Sequence, residues 1–206
     1  RRDDTRSGGE KHLVALADFS MENLCAQPME PVRPVVQIPA RTVYHSPKGE
    51  WIVDFGQTLC GRARIRVDAP KGAELTFEYF EVTDKAGNYR NTMIAPQKDV
   101  YISNGSPCQY EAAFTFHGFR YLRVSGTDSV HNEDFTAVAL STEKEKLGAF
   151  EGSDPRLNRL YQTIRWSQRS NMLSIPPDCP SREKGGVTGD VQSSAKTARL
   201  NEEMTP

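Results

Sequence analysis

The chain has little of what would make several function classes easy to assign. No apolar run approaches the ~20 residues a membrane-spanning helix needs. The opening RRDDTRSGGEKH has no apolar centre of the kind a secretory leader carries. Charge of one sign is missing too: 26 basic residues stand against 27 acidic ones, for a formal net charge of −1. That balance speaks against nucleic acid or an anionic membrane as partner. Cysteine is scarce, with Cys25, Cys60, Cys108 and Cys179 scattered singly. No CxxC pair and no Cys/His spacing of the zinc type occurs, so the thiols are read as packed or idle, and no metal is expected. An initiating Met is also absent, so both ends are expected to lie inside a longer chain, and the compartment stays unassigned.

A length of 206 residues allows one or two domains. Residues 12–24, HLVALADFSMENL, have a mixed pattern that suits a short helix or a strand. Residues 27–40, QPMEPVRPVVQIPA, hold four prolines and read as an extended connector. Strand patterns then dominate residues 50–140. EWIVDFG (50–56) places Trp51, Val53 and Phe55 on one face. GRARIRVDAP (61–70) places Ala63, Ile65 and Val67 on one face and Arg62, Arg64 and Arg66 on the other. Further strands are expected in 71–82, 97–105, 108–116, 119–126 and 135–140, with Gly-, Asn- and Pro-containing turns between them. Short strands at this spacing imply an antiparallel β-sandwich.

Two features in this region have a functional and a plain reading. The three arginines form either a binding patch or, as favoured, the solvated face of an antiparallel sheet. Phe114, Phe116, Phe119 and Tyr121 around His117-Gly118 form either a sugar-stacking platform or, as favoured, sheet core with a glycine-assisted bend.

The pattern changes after residue 142. Ser153 or Asp154 can cap a helix that has Pro155 at its first position, and Leu157, Leu160, Tyr161 and Ile164 then fall on one stripe. This helix is expected to run to about residue 171, because Pro176, Pro177 and Pro180 forbid its continuation. A second helix is expected to start between Thr188 and Asp190, where an acid suits the positive end, and to run through VQSSAKTARL.

Between the helices, thirteen positions hold three acids: Asp178, Glu183 and Asp190. A polar connection with capping acids is the plain reading. Yet clustered carboxylates repel, and Arg182 and Lys184 flank Glu183. Neighbouring carboxylates raise an acid's pKa and a cation lowers it, a mixture that can keep one carboxyl protonated near neutral pH. Glycoside hydrolysis needs such a proton donor, together with a second carboxylate to activate water or attack the sugar.

The run Asp178-Cys179-Pro180-Ser181-Arg182-Glu183-Lys184-Gly185-Gly186-Val187-Thr188-Gly189-Asp190 resembles the catalytic loop of bacterial and fungal α-L-rhamnosidases of glycoside hydrolase family 78. In that family the loop reads D-C-P-x-R-E or D-C-P-x-R-x-E, then a Gly, usually a Trp, then T-G-D. VDFGQTLCGRARIRV, KGAELTFEYFEV, KDVYISNG and FTFHGFRYLRVSG resemble its β-sandwich module. GAFEGSDPRLNRLYQTIRWSQRSNMLSIPPDCPSRE resembles the passage into its catalytic domain. The resemblance covers about residues 50–206.

That resemblance implies a β-sandwich followed by the first helices of an (α/α)6 barrel: an upstream segment 1–43, a sandwich module 44–142 and the opening part of a catalytic domain 143–206. It implies hydrolysis of terminal α-L-rhamnosyl linkages with inversion, in rhamnose-containing glycosides or polysaccharides, without a cofactor. Glu183 would be the general acid, Asp178 and Asp190 would hold the sugar hydroxyls, and Arg182 would orient the carboxylates. Val187 stands where the family usually has a Trp that lines the sugar pocket. The general base, a Glu much later in the family's sequence, is expected to be missing from these residues, so this chain alone is expected to be close to inactive. Without the rest of such a barrel the stripe of the first helix would face water, at ~1.5–3 kcal/mol for each large side chain. Two other readings stay open: a non-catalytic carbohydrate-binding or structural β-sandwich module, and a lyase acting on rhamnose–uronate linkages.

Overall fold

A computed structural model describes residues 20–27, 29–92, 96–142, 148–186 and 188–202. The strands are β1 (Arg33–Pro39), β2 (Thr42–His45), β3 (Trp51–Val67), β4 (Glu74–Phe80), β5 (Lys98–Ile102), β6 (Cys108–Glu111), β7 (His117–Ser125) and β8 (Phe135–Ser141). They pair antiparallel in the order β1-β8-β3-β7-β4-β5, and β2 and β6 also pair with β3.

The organising element is β3. Its opening residues Trp51–Asp54 lie between β2 and β7. Its later residues pair with β8 over Gly61–Ile65 and with β6 over Arg64–Val67. The register against β7 slips between Asp54 and Leu59, where Gly56 takes φ +73°. A left-handed glycine at such an irregularity lets a strand bend without leaving its sheet. The two strands expected over 50–56 and 61–70 are therefore one. For the same reason the expected sandwich of two sheets appears as a single curled antiparallel sheet.

Alternation on these strands sends Val53, Phe55, Leu59, Ala63 and Ile65 of β3 into one core with Phe77 and Tyr79 of β4 and Phe119 of β7. The Phe55 and Tyr79 rings both meet Phe119 edge-on, with centroids 5.6 and 4.9 Å away. Each such side chain contributes ~1.5–3 kcal/mol by leaving water. The opposite face carries a smaller apolar patch of Cys60, Val138 and Leu140, covered by Leu173 and bordered by Phe116. This second patch receives the segment that follows the first helix. Burial there pushes the Cys60 thiol up to about 12, so it packs as an inert hydrophobe.

Part of the proline-rich stretch read as a connector is β1. It is extended as expected, but it belongs to the sheet, paired with β8 and shifted in register between Pro34 and Val36. An edge strand tolerates Pro34 and Pro39 because one side of its ladder needs no donors. Residues 12–19 lie outside the described residues, and 20–24 form a turn rather than a helix or strand.

The arginine face of β3 is charge-paired rather than open. The Nε atoms of Arg62 and Arg64 each donate to one oxygen of Glu111 on β6 at 2.6 Å, and Arg66 approaches Asp134 at 3.7 Å. The aromatic cluster divides: Phe119 is core, Tyr121 stacks on Phe80, and Phe114 stands fully exposed. Gly118 is not a bend. It lies inside β7, paired with Cys60, and its lack of a side chain serves a close approach described below.

Helix α1 (Pro155–Ser170) begins as its signals imply: Asp154 is the N-cap, its carboxylate accepting from Arg156 N–H at 2.9 Å. Helix α2 spans Thr188–Asn201. Leu157, Leu160 and Ile164 are 49, 55 and 39% exposed, so the apolar stripe of α1 is largely open to water. Trp166 is the α1 side chain packed on the sheet core, while the buried Arg165 faces the end of α2, its guanidinium 3.5 Å from the Glu202 carboxylate. Among the described residues no helix is long and apolar enough to cross a membrane.

Candidate active site

Prolines at 176, 177 and 180 hold the chain between α1 and α2 out of helix, yet it is not loose. Pro177 and Gly186 form an antiparallel bridge. Inside it Asp178 N–H donates to the Gly185 carbonyl at 2.8 Å, and Gly185 N–H donates back to Asp178 Oδ1 at 2.9 Å. The Cys179 thiol donates to Asp178 Oδ2 at 3.3 Å. The chain turns through residues 181–183, and Lys184 takes the left-handed φ of 56° on the way back.

This closed turn brings two of the three sequence-designated acids together. Glu183 and Asp178 lie close enough for each to shift the other's proton affinity. Two neighbouring carboxyl groups are pushed apart in pKa, and the surroundings decide in which direction each moves. The Glu183 contact, the Cys179 thiol and backbone N–H groups all favour the charged form of Asp178 and hold it down to about 2, against a smaller opposing effect of desolvation. Glu183 moves the other way. The Asp178 hydrogen bond and then its negative charge raise it, Asp190 adds to this, and the Arg182 guanidinium pulls modestly down. The two carboxyls are thus driven apart in proton affinity, Asp178 down and Glu183 up, at a solvent-facing position.

Asp190 sits in the first turn of α2. It reaches Glu183 through its field rather than by contact. Arg182 is exposed and likewise acts on Glu183 through charge; among the described residues no ion pair joins it to a carboxylate. Val187 lies outside the described residues. A cleft of about 550 Å³ opens between α1, the loop and α2, with Ile164, Met172 and Ala198 among its apolar lining and Asp178 and Asp190 on its wall. Its size falls in the ordinary range for small-ligand sites. Among the described residues no cluster of His, Cys, Asp and Glu is placed to hold a metal.

Contacts that sequence spacing did not reveal set the loop on the sheet. Ser181 is buried against Gly118, where a Cβ would come within 2.8 Å of the serine Cβ. Lys184 reaches back to the Phe116 carbonyl at 2.6 Å. Neither has a signal in periodicity or motif, because each depends on where the sheet edge lies in space. The Cys179 thiol on Asp178 could have been anticipated only from its adjacency.

Residues 44–141 match the bacterial alpha-L-rhamnosidase concanavalin-like domain, and residues 145–206 match the bacterial alpha-L-rhamnosidase 6 hairpin glycosidase domain. A curated alpha-L-rhamnosidase of Streptomyces avermitilis is 36% identical over 182 residues, which cover 86% of this chain and 18% of the relative. The crystal structure of a Streptomyces avermitilis alpha-L-rhamnosidase complexed with L-rhamnose superposes with a TM-score of 0.82 at 36% identity, covering 86% of this chain and 18% of that one. The native enzyme from Aspergillus terreus gives 0.81 at 36% identity, covering 90% of this chain and 22% of that one. The chain therefore spans about a fifth of the length of these relatives.

Proposed function

Because the chain belongs to the bacterial α-L-rhamnosidase family, we propose that its 178–190 loop is the general-acid half of an α-L-rhamnosidase active site. The observation that carries this reading is the closed turn that sets Glu183 beside Asp178, where the Asp178 charge raises the proton affinity of Glu183. In the reaction Glu183 gives its proton to the glycosidic oxygen as the bond from the sugar's anomeric carbon breaks. Water adds to that carbon from the opposite face and loses its proton to a second carboxylate. Asp178 is unsuited to that second role, because a carboxylate set directly beside the acid leaves no room for a water between them. Following the family resemblance, we assign the base to a Glu later in sequence than residues 1–206. Asp178 and Asp190, on the cleft wall, accept hydrogen bonds from rhamnose hydroxyls, and Arg182 keeps the carboxylates oriented. The substrates are rhamnose-containing glycosides or polysaccharides.

The same reading makes α1 and α2 the opening pair of an (α/α)6 barrel, supported by the exposed stripe of Leu157, Leu160 and Ile164. It divides the chain into an upstream segment 1–43, a sheet module 44–142 and a helical part 143–206. By hydrogen bonding β1 and the start of β2 join the sheet, although they lie in the upstream segment.

The test is hydrolysis of an α-L-rhamnoside by a chain long enough to hold the base, with and without Glu183→Gln. General acids contribute about 10²–10⁴-fold, so a loss of that order is expected. The first-formed sugar should be the β anomer by proton NMR. Because Glu183 must be protonated and its pKa is raised, activity should persist above the ordinary glutamate range and fall as pH passes through the raised value. A product absorbing in the near ultraviolet would instead establish the lyase, and measurable hydrolysis by residues 1–206 alone would overturn the placement of the base.

A further inference from the structure

We propose that Lys184 is a positioning residue: its ammonium, anchored on the Phe116 carbonyl just before β7, fixes the turn that places the Glu183 carboxyl beside Asp178. This rests on the general-acid reading of Glu183. The first observation is the odd situation of the cation. Lys184 is half-buried, and its Nζ donates to the Phe116 carbonyl at 2.6 Å while lying 4.8 Å over the Phe116 ring. Among the described residues no carboxylate pairs with it.

The charged and titratable groups that face it are Cys60 of β3, Asp99 of β5 and Cys179 of the loop. Cys60 is held as the thiol, and Asp99 already accepts from the Tyr79 hydroxyl at 2.7 Å and contacts His117 Nε2 at 3.1 Å. Desolvation lowers the Lys184 pKa, so keeping an ammonium here works against its hydration. A cation retained at such a cost, with a backbone carbonyl and a ring face as partners, serves placement rather than charge neutralisation.

The second observation is backbone geometry. Lys184 is one of two described non-glycine residues with positive φ, a conformation that persists only where the surroundings impose it. It lies between Glu183 and Gly185, whose N–H meets Asp178 Oδ1. The kink at Lys184 thus sets both the acid and a donor to the acid's partner.

The third is the symmetry of the anchoring. Glu183 is exposed, but the residues around it are pinned to one short piece of β7 and its approach. Ser181 sits on Gly118, and Lys184 sits on Phe116. Between those two, His117 is itself held by Gln97 at 3.0 Å and stacked on Tyr79 with ring centroids 4.0 Å apart. The support under the loop is therefore rigid.

Carboxyl titration by carbon-13 NMR in the full chain tests this in Lys184→Met, which keeps the apolar stem, and in Lys184→Arg, which keeps a cation. The Met variant should bring the two titrations together, Glu183 falling and Asp178 rising, while unfolding stays cooperative; the Arg variant should stay near wild type. A role confined to stability would lower Tm and leave both titrations in place. Unchanged titrations in a folded Met variant, or identical behaviour of the two variants, would overturn the proposal. Should the Met variant not fold, the wild-type protein still decides: slow exchange of the Lys184 ammonium protons with water is expected, and free averaging refutes the anchor. In a catalytically complete chain the Met variant should lose about 10²-fold in kcat with KM little changed, the effect expected of a misplaced catalytic group. Full activity of Glu183→Gln would remove the general-acid reading and leave the titration test standing, so the two failures are distinguishable.

Discussion

The sheet and the helices treat apolar and charged residues in opposite ways. In the sheet, Ile52, Leu59, Phe119 and Leu122 are fully buried, and the charges facing outward are paired across strands, Arg62 and Arg64 on Glu111 and Arg120 on both oxygens of Asp54. In the helices, Leu157, Leu160 and Leu200 face water, while Arg165 and Glu202 are buried together. A sheet curled on itself encloses its own core. Two helices have no such option, since an amphipathic stripe needs a further layer to cover it. The candidate site occupies the seam between these regimes. Its loop belongs to the helical part but rests on the sheet through Ser181 and Lys184.

The comparison can be broken most forcefully in the core. Phe119→Ala should cost about 3–5 kcal/mol in chemical unfolding, the usual range for a buried aromatic reduced to alanine. A cost under about 1 kcal/mol would mean the sheet does not enclose a self-sufficient core. At the seam, Gly118→Ala should cost about 1–3 kcal/mol, because the added methyl would meet Ser181 at its Cβ and backbone N and the Pro180 ring. The loop, not the sheet, should show it, as faster hydrogen exchange at Gly185 N–H. Glu111→Gln leaves Arg62 and Arg64 without their shared anion. Because all three side chains are about a quarter exposed or less, yet still reach solvent, the expected loss is only about 1 kcal/mol. The smallest effect is expected on the helix stripe. Leu160→Lys should change stability by less than about 0.5 kcal/mol while reducing self-association in sedimentation. A large loss there would show that the stripe is already covered.

Legibility in the sequence followed the range of the interactions. Helix α1 was readable to within a residue at each end, since Asp154, Pro155 and the prolines from 176 act on their own neighbourhood. The strands from β4 onward were readable, except that the one expected over 108–116 stops at Glu111, before Phe114 takes a positive φ. The continuity of β3 was not, because Gly56 looks like a turn residue and only its pairing with β7 shows a bend within a strand. Nor was β1, whose prolines read as linker until β8 supplies the other half of its ladder. In the site, the acids and their spacing were legible. The donors that converge on Asp178, the Cys179 thiol and the Gly185 N–H, were not, because they depend on how the turn closes.

Elements whose causes lie within a few residues were written in the chain itself: the cap and stripe of α1, the alternating strands, and the three acids with their flanking cations. Only the tertiary structure decided how those pieces meet. It joined two strands through one glycine, used another as a seat for Ser181, and turned Lys184 onto a carbonyl 68 residues away. The physical reason is that helix caps and alternation act through adjacent backbone, whereas a carboxyl's proton affinity or a half-buried ammonium answers to whichever distant groups packing brings within a few ångströms.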